Sequence, residues 1–216
     1  RDFEDIIAGI SLYRPGPTDQ IPRYISNKNN ANNIQYEHPL LKDILNVTYG
    51  CMIYQEQVMK IVRELAGYSM GRADLVRRAM AKKKVDVMQE ERKNFVYGIS
   101  DKDGNKIVNG CVANGVSEEV ANKIFDEMMD FASYAFNKSH AAAYAVIAYQ
   151  TAYLKCYYPV EFMAALINSV VSNPDKLAFY MNKCRENGIE ILPPDVNESE
   201  CSFSTRGNKI LFGLKA

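Results

Sequence analysis

Apolar residues recur every three or four positions through most of the first 188 residues, which is the spacing of helices that bury one face. The runs are separated by residues typical of helix ends, such as Gly67, Pro159 and the pair Asn187-Gly188. The Asn-rich stretch 27–33 predicts a loop, and the apolar stretch 49–54 predicts an extended segment that enters a helix. The predicted helices are 3–12, 55–66, 69–84, 117–132, 139–158, 160–171 and 173–187. Four begin at residues that favour the N-cap position, namely Ser69, Ser117, Ser139 and Asn173.

Two regions predict β structure. The turn-forming sequence 101–106, between apolar flanks, predicts a small hairpin inserted at 97–116. The helical period stops after residue 188, and residues 189–216 predict a short strand followed by a hairpin. The predicted fold class is therefore mainly α: a multi-helix domain over 1–188 with a small β appendage at the C-terminal end.

Positive charge is concentrated in one predicted helix. The chain has 26 basic and 26 acidic residues, yet residues 72–84 hold six basic residues against one acid. On a helix the segment divides into an apolar side of Leu75, Val76, Ala79 and Met80, and a basic side of Arg77, Arg78, Lys82 and Lys84. The basic side can bind phosphates, because guanidinium groups recognise them bidentately. The alternative is a solvated face on which Asp74 pairs with Arg78, and the basic run alone favours this alternative.

The segment 136–144 is a second candidate for phosphate binding. If Ser139 caps the following helix, Lys138 and His140 flank its positive end, where backbone N–H groups bind anions. The alternative is an ordinary capped helix with an incidental histidine. Catalysis by the adjacent Ser139 and His140 is disfavoured, since neighbouring residues on a helix point in different directions.

Other kinds of site have little support in the sequence. Five scattered cysteines and two histidines form no zinc-like spacing, so we expect free thiols in a reducing cytoplasm. Asp101 and Asp103 form an Asp-x-Asp pair, but an EF-hand loop would need Gly and Glu where Lys106 and Val112 stand, so the pair predicts a turn. No apolar run reaches the ~18 residues that a membrane span needs. Because the first residue is Arg1 rather than Met, we expect a fragment of a longer protein.

Five segments in this order resemble one family over nearly the whole chain. They read LYRPGP at residues 12–17, YQEQVM at 54–59, RRAMAKK at 77–83, FNKSHAAA at 136–143 and ILPPDVN at 191–197. Their order and spacing resemble the α subunits of bacterial DNA polymerase III, the C-family replicative DNA polymerases. The resemblance identifies residues 1–188 with the fingers domain. It identifies residues 189–216 with a β-containing linker toward a helix-hairpin-helix module beyond this chain.

The resemblance implies a function in chromosomal replication. The parent enzyme would be a nucleotidyltransferase that extends a primer, with aspartates that bind Mg²⁺ in a palm domain outside this chain. The chain alone would hold no catalytic residue and no metal, and would be inactive. Its partners would be primer-template DNA, the incoming dNTP and, in the parent, other replicase subunits such as the sliding clamp. Rival hypotheses are a non-catalytic nucleic-acid-binding module, with the basic helix on DNA phosphates, and a structural scaffold.

The resemblance also implies roles for individual residues. The fingers would bind the dNTP triphosphate and close over the nascent base pair. The residues that match the triphosphate-binding motifs are Arg77, Arg78, Lys82, Lys83, Asn137, Lys138, Ser139 and His140. Those that could support them are Arg14, Tyr54, Gln55 and Tyr144.

Overall fold

The computed structural model describes residues 2–82, 85–132 and 134–216. Over these ranges the helices are α1 (Phe3–Leu12), α2 (Ile21–Asn29), α3 (Lys42–Leu45), α4 (Gln55–Ala66), α5 (Met70–Ala81), α6 (Val85–Tyr97), α7 (Glu118–Ala132), α8 (Lys138–Tyr157), α9 (Pro159–Ser169) and α10 (Pro174–Glu186). The strands are β1 (Ile99–Ser100), β2 (Lys106–Val108), β3 (Glu190–Leu192), β4 (Ser204–Arg206) and β5 (Lys209–Leu211). The predicted mainly helical class, with a small sheet near the C-terminus, is confirmed. No helix of the described ranges combines the length and apolar character that crossing a membrane requires.

Most helix boundaries lie where the sequence predicts them. The side chains of Ser69, Ser117 and Asn173 each accept a hydrogen bond from the backbone N–H three residues later, at 3.1–3.3 Å. Gly67, in the left-handed conformation, ends α4, and Pro159 is the first residue of α9. These short-range signals therefore fix the lengths of the helices.

The predicted cap of α8 is wrong. The helix begins at Lys138, and the Asn137 side-chain oxygen accepts the His140 N–H at 2.8 Å. Asn137 stands just before the first turn, where an amide oxygen reaches the third free N–H. Ser139 is already inside that turn, so Asn137 is the residue at the positive end of the helix.

Two other predictions from local sequence are wrong. Part of the stretch 27–33 is helical, because α2 continues to Asn29 and a 3₁₀ turn follows at 31–33. Here packing overrides composition, since the buried Asn27 donates its amide hydrogen to the Tyr49 carbonyl at 2.8 Å. The stretch 49–54 forms no named strand; only Tyr54 makes a single parallel bridge, to Phe136.

The chain forms two compact units, Arg1–Ala145 and Val146–Ala216. The first unit contains two hydrophobic clusters. One is built mainly by α3 to α7, with Phe95 and Phe125 packed ring to ring at 5.6 Å. The other joins α1, α2, residues 51–54 and the first turns of α8, where Ala8 and Ala141 are fully buried.

The second unit packs α9 and α10 against a three-stranded sheet. The strand order is β3-β5-β4, with β3 parallel and β4 antiparallel to the central β5. Asn168 of α9 connects that helix to Phe203, just before β4. Its amide donates to the Phe203 carbonyl at 2.8 Å, and its side-chain oxygen accepts the Phe203 N–H at 2.9 Å. The buried core of this unit includes Ile167, Cys184 and Ile210.

The β1–β2 hairpin closes through a very close backbone approach at its base. Gly98 has φ +87°, and a Cβ there would lie 2.4 Å from the carbonyl oxygens of Val108 and Asn109. Only a residue without a side chain fits at this point. Gly104, at the hairpin tip, also has positive φ, but a Cβ there would meet nothing within 4 Å.

We therefore expect Gly98→Ala to lower the free energy of unfolding more than Gly104→Ala does. Gly98→Ala should lower the free energy of unfolding by at least about 3 kcal/mol, since both backbone strain and a clash are introduced. Gly104→Ala should cost about 1 kcal/mol, since only the backbone conformation opposes it. Urea unfolding of residues 1–216 measures both, and equal costs would contradict the close approach.

Asp5 anchors α1 to the rest of its cluster. Its carboxylate accepts the Tyr24 hydroxyl at 3.0 Å and the Tyr49 hydroxyl at 3.3 Å, and it pairs with Lys28. Burial alone would raise the pKa of Asp5, but hydrogen bonds from Lys28, the Asp2 backbone and Tyr24 outweigh it and lower the pKa. The charged form of Asp5 therefore stabilises the fold.

Asp5→Asn should lower the free energy of unfolding at pH 7 by at least about 1 kcal/mol, because four donors lose a charged acceptor. The folded pKa lies below the unfolded value of about 3.9, so this contribution is present above pH ~4 and fades at lower pH. Denaturant unfolding of both proteins from pH 7 to pH 2.5 should show the difference shrinking below pH ~4. A difference that is constant with pH would contradict the role of the charge.

Candidate phosphate-binding site

The candidate site is organised by the 54–57 segment (Tyr54, Gln55, Glu56, Gln57), which begins α4. The Gln55 N–H donates to the Phe136 carbonyl at 2.9 Å, and the Phe136 N–H donates to the Ile53 carbonyl at 3.3 Å. These bonds join the start of α4 to the residues that precede α8. The two stretches are far apart in sequence, so this pairing places the 136–144 segment, one of the two predicted phosphate-binding elements, beside the start of α4.

A buried glutamine fixes the 54–57 segment. Gln57 is only 4% exposed, and its side-chain oxygen accepts the N–H groups of Ile53 and Tyr54 at 2.8 and 2.9 Å. Its amide nitrogen donates to the Thr48 hydroxyl at 2.7 Å. Because this polar side chain is satisfied inside the core, the backbone of the 54–57 segment has one well-defined path.

Arg77 of α5 reaches the 54–57 segment. Its guanidinium donates to Asp74 at 2.8 Å and to the Gln55 side-chain oxygen at 3.0 Å. The Gln55 amide in turn lies 3.5 Å from the Ala135 carbonyl, just before α8. The Arg77 side chain is 28% exposed, so the guanidinium is held in a fixed orientation with part of its surface open.

Arg78 and Lys82 lie further from the 54–57 segment. Arg78 pairs with Asp74 at 2.7 Å and its side chain is 63% exposed, so the predicted local pair is confirmed. Hydrogen bonding from Arg77, with the charges of both arginines, lowers the pKa of Asp74. Arg78 and the exposed Lys82 line a surface pocket of about 340 Å³. Lys83, also predicted to bind phosphate, lies outside the described residues, as does Lys84.

The predicted apolar side of α5 needs one correction. Val76 and Ala79 are buried, together with Ala73, whereas Leu75 is 62% exposed and lines the pocket beside Arg78. The buried residues follow a three-residue spacing from Ala73, which turns the neighbouring Leu75 away from the core. The Met80 side chain is outside the described part of the structure.

The N-terminus of α8 is already covered by a carboxylate. The Lys138 N–H lies 3.0 and 3.2 Å from the two oxygens of Glu56, and the Asn137 amide donates to Glu56 at 2.8 Å. The Lys138 ammonium group pairs with Glu4 at 2.9 Å and lies 5.3 Å from the centre of the Tyr54 ring. The predicted positive end therefore exists and attracts anions, and in this structure the anion is Glu56.

An aromatic stripe runs from the half-buried Phe136, just before α8, onto exposed residues in the first turns of that helix. The His140 ring lies between Phe136 and Tyr144, with centroids 5.6 and 4.8 Å away. Ser139 and Tyr144 are exposed beside it. Ser139, His140 and Tyr144 therefore lie on the accessible surface next to the capped helix end.

Arg14 and Tyr54 support the site from within. The Arg14 guanidinium lies 4.2 Å from the Phe136 ring centre and donates to the Tyr134 carbonyl at 2.9 Å, while burial lowers its pKa. Tyr54 is buried, and burial, with the charges of Glu4 and Glu56, raises the pKa of its phenol. Both side chains hold residues 134–138 in place.

Sequence reasoning missed the acidic members of the site. Glu4 and Glu56 pair with Lys138 and the α8 N-terminus, although neither residue stands near that helix in sequence. The one available signal was the polar run Gln55-Glu56-Gln57 at the start of a helix. Asp101 accepts the N–H groups of residues 103 and 105 at 2.9 and 2.8 Å, so it closes the hairpin turn as predicted.

Comparison with known proteins supplies a family. Residues 1–103 match the family described as bacterial DNA polymerase III alpha subunit finger domain. The chain is 50% identical to DNA polymerase III subunit alpha of Thermus aquaticus, over all of this chain and 17% of that protein. The same subunit of Neisseria meningitidis is 50% identical over 99% of this chain and 18% of its own length. That of Bacillus subtilis is 42% identical, with the same two shares.

The chain thus spans less than a fifth of the length of these relatives. The match to the finger-domain family covers α1 to α6, and Arg14, the 54–57 segment, Arg77 and Arg78 all lie within the matched residues. The longer alignments add the α8 N-terminus and the C-terminal unit. The chain therefore corresponds to the finger-domain region of bacterial DNA polymerase III α subunits.

Proposed function

We propose that this chain is the fingers of a bacterial replicative DNA polymerase and binds the triphosphate of the incoming dNTP. One observation carries the proposal: consecutive residues of the 54–57 segment contact both basic elements, Gln55 through Arg77 and Glu56 through Asn137 and Lys138. A flexible polyphosphate can then contact a guanidinium and a helix N-terminus together.

In this proposal, these residues position the triphosphate for reaction. Arg77 offers N–H donors held in a fixed orientation, and α8 offers its positive end with the Lys138 charge beside it. Such groups align the reacting phosphoryl group and stabilise the charge that develops on it. Ser139, His140 and the exposed Arg78 and Lys82 extend the same surface.

In this proposal, the Mg²⁺ ions of the reaction would bind outside this chain. Among the described residues no group of three or more His, Cys, Asp or Glu side chains is placed to hold a metal. The residues present therefore do not fit Mg²⁺, and we assign its ligands to a palm domain outside this chain.

The proposal extends to the parent protein. It would extend primer-template DNA in the bacterial cytoplasm, alongside other replicase subunits such as the sliding clamp, while this chain alone would be inactive. The division into fingers at 1–188 and a linker at 189–216 also stays a prediction. It is distinct from the two compact units, which divide within α8 after Ala145.

A second candidate function has one supporting observation. Arg78 and Lys82 are exposed beside a surface pocket and have no described contact with α8. That placement is also compatible with a module that binds nucleic-acid phosphates without catalysis.

Replacing Arg77 and Arg78 together by Ala in the full-length subunit should lower kcat/KM for dNTP at least tenfold, or ~1.4 kcal/mol of transition-state stabilisation. Arg77→Ala should account for most of this loss, because only Arg77 is oriented toward α8 through Gln55. Primer extension at varied dNTP concentration measures the effect. Arg185→Ala, which removes an exposed arginine in the second unit, is the control.

Three results of that experiment separate the hypotheses. A tenfold or larger loss in kcat/KM supports triphosphate binding. Unchanged dNTP kinetics with uniformly weaker binding of duplex DNA would favour the nucleic-acid-binding module. If neither the dNTP kinetics nor duplex binding changes, the two arginines belong to a solvated surface of a structural scaffold. That result would contradict both triphosphate binding and nucleic-acid binding.

A further inference from the structure

The chain's own carboxylate occupies the donors that a phosphate would need. Glu56 accepts the Lys138 N–H at 3.0 Å through one oxygen and the Asn137 amide at 2.8 Å through the other. A phosphate oxygen on the same donors would have to lie where the carboxylate lies. Two anions in contact, with part of the region shielded from water, repel each other strongly. The two occupants therefore exclude one another.

The same pattern recurs at three other cations of the site. Lys138 pairs with Glu4 at 2.9 Å, and Asp74 pairs with Arg77 at 2.8 Å and Arg78 at 2.7 Å. Positive groups of both basic elements are therefore paired with the chain's own carboxylates, although Asp74 is a single acid shared by two arginines. A ligand with one negative charge gains little by replacing one carboxylate. A triphosphate carries several charges and many acceptor oxygens, so it can replace several contacts at once.

Glu56 can leave α8 at modest cost. The cap of α8 does not depend on it, because the Asn137 side-chain oxygen holds the His140 N–H independently. Glu56 also lies in the first turn of α4, where that helix's own dipole favours a negative charge. Once released, the carboxylate remains near a positive helix end, and Asn137 and the Lys138 N–H become available.

We propose that Glu56 is an internal competitor of the nucleotide: it occupies the α8 N-terminus in the nucleotide-free state, and the incoming triphosphate displaces it. This inference rests on the proposed triphosphate site and adds a regulatory contact to it. The charge of Glu56 weakens nucleotide binding and makes it selective for polyphosphates over singly charged anions.

The test is Glu56→Gln in the full-length subunit on primer-template DNA. Glutamine keeps the size and the carbonyl acceptor but lacks the charge. The dissociation constant for dNTP, measured by rapid single-nucleotide incorporation, should fall by at least about threefold, since an opposing charge is removed. Glu64→Gln removes the same charge from an exposed position of α4 and should leave the constant unchanged.

Glu56→Ala, which removes the carboxylate altogether, should also tighten dNTP binding if it retains the melting temperature of the parent protein. An unchanged or raised dissociation constant for Glu56→Gln would overturn the inference, because a cap with a structural or ligand-orienting role predicts that result. The Arg77 and Arg78 variants separate this failure from failure of the site itself. If they weaken dNTP binding while Glu56→Gln has no effect, the triphosphate site stands and the competition is wrong. If neither has an effect, both are wrong.

Discussion

The backbone pairing between Phe136 and residues 53–55 is the contact on which the candidate site depends. It joins the start of α4 to the start of α8, and Gln55 extends the connection to Arg77 on α5. The buried Gln57 holds one side of this pairing, and Arg14 holds the other by packing on Phe136. Polar groups with complete hydrogen bonding are costly to rearrange in a core, so the relative position of the basic elements is set by the fold.

The balance of charge within this framework determines which ligands the site can accept. Arginines and the α8 N-terminus attract phosphate to this surface. Asp74, Glu4 and Glu56 already pair with several of these positive groups. Exposed pairs of this kind are individually weak, because water screens them and side-chain entropy opposes them. A ligand with several negative charges can replace them together, whereas a single anion cannot. Weak internal pairs therefore fit the proposed function, in which the site would bind and release a nucleotide in every cycle.

Much of the fold could be predicted from the sequence, because helix period, caps and breakers are local signals. Ser69 and Ser117 cap the helices that they were expected to cap, and the strand and hairpin after Gly188 are present. The prediction of Ser139 as the α8 cap was wrong because Asn137 and Ser139 are both good capping residues two positions apart. Sequence alone does not rank them.

The composition of the site was harder to predict. Arg77 and Asn137 were identified as members, but their connection depends on the pairing of Tyr54 with Phe136, which leaves no local pattern. Glu56 was missed because a glutamate in the first turn of a helix is ordinary there. Its contact with α8 follows only from the tertiary structure.

The most direct test of the account is a structure of the full-length subunit with primer-template DNA and an incoming nucleotide. Triphosphate oxygens should lie within hydrogen-bonding distance, about 3 Å, of the Lys138 N–H or the Asn137 amide. Arg77 should face the same triphosphate, and the Glu56 carboxylate should have left α8. A triphosphate bound elsewhere, with Glu56 still on the Lys138 N–H, would contradict the account.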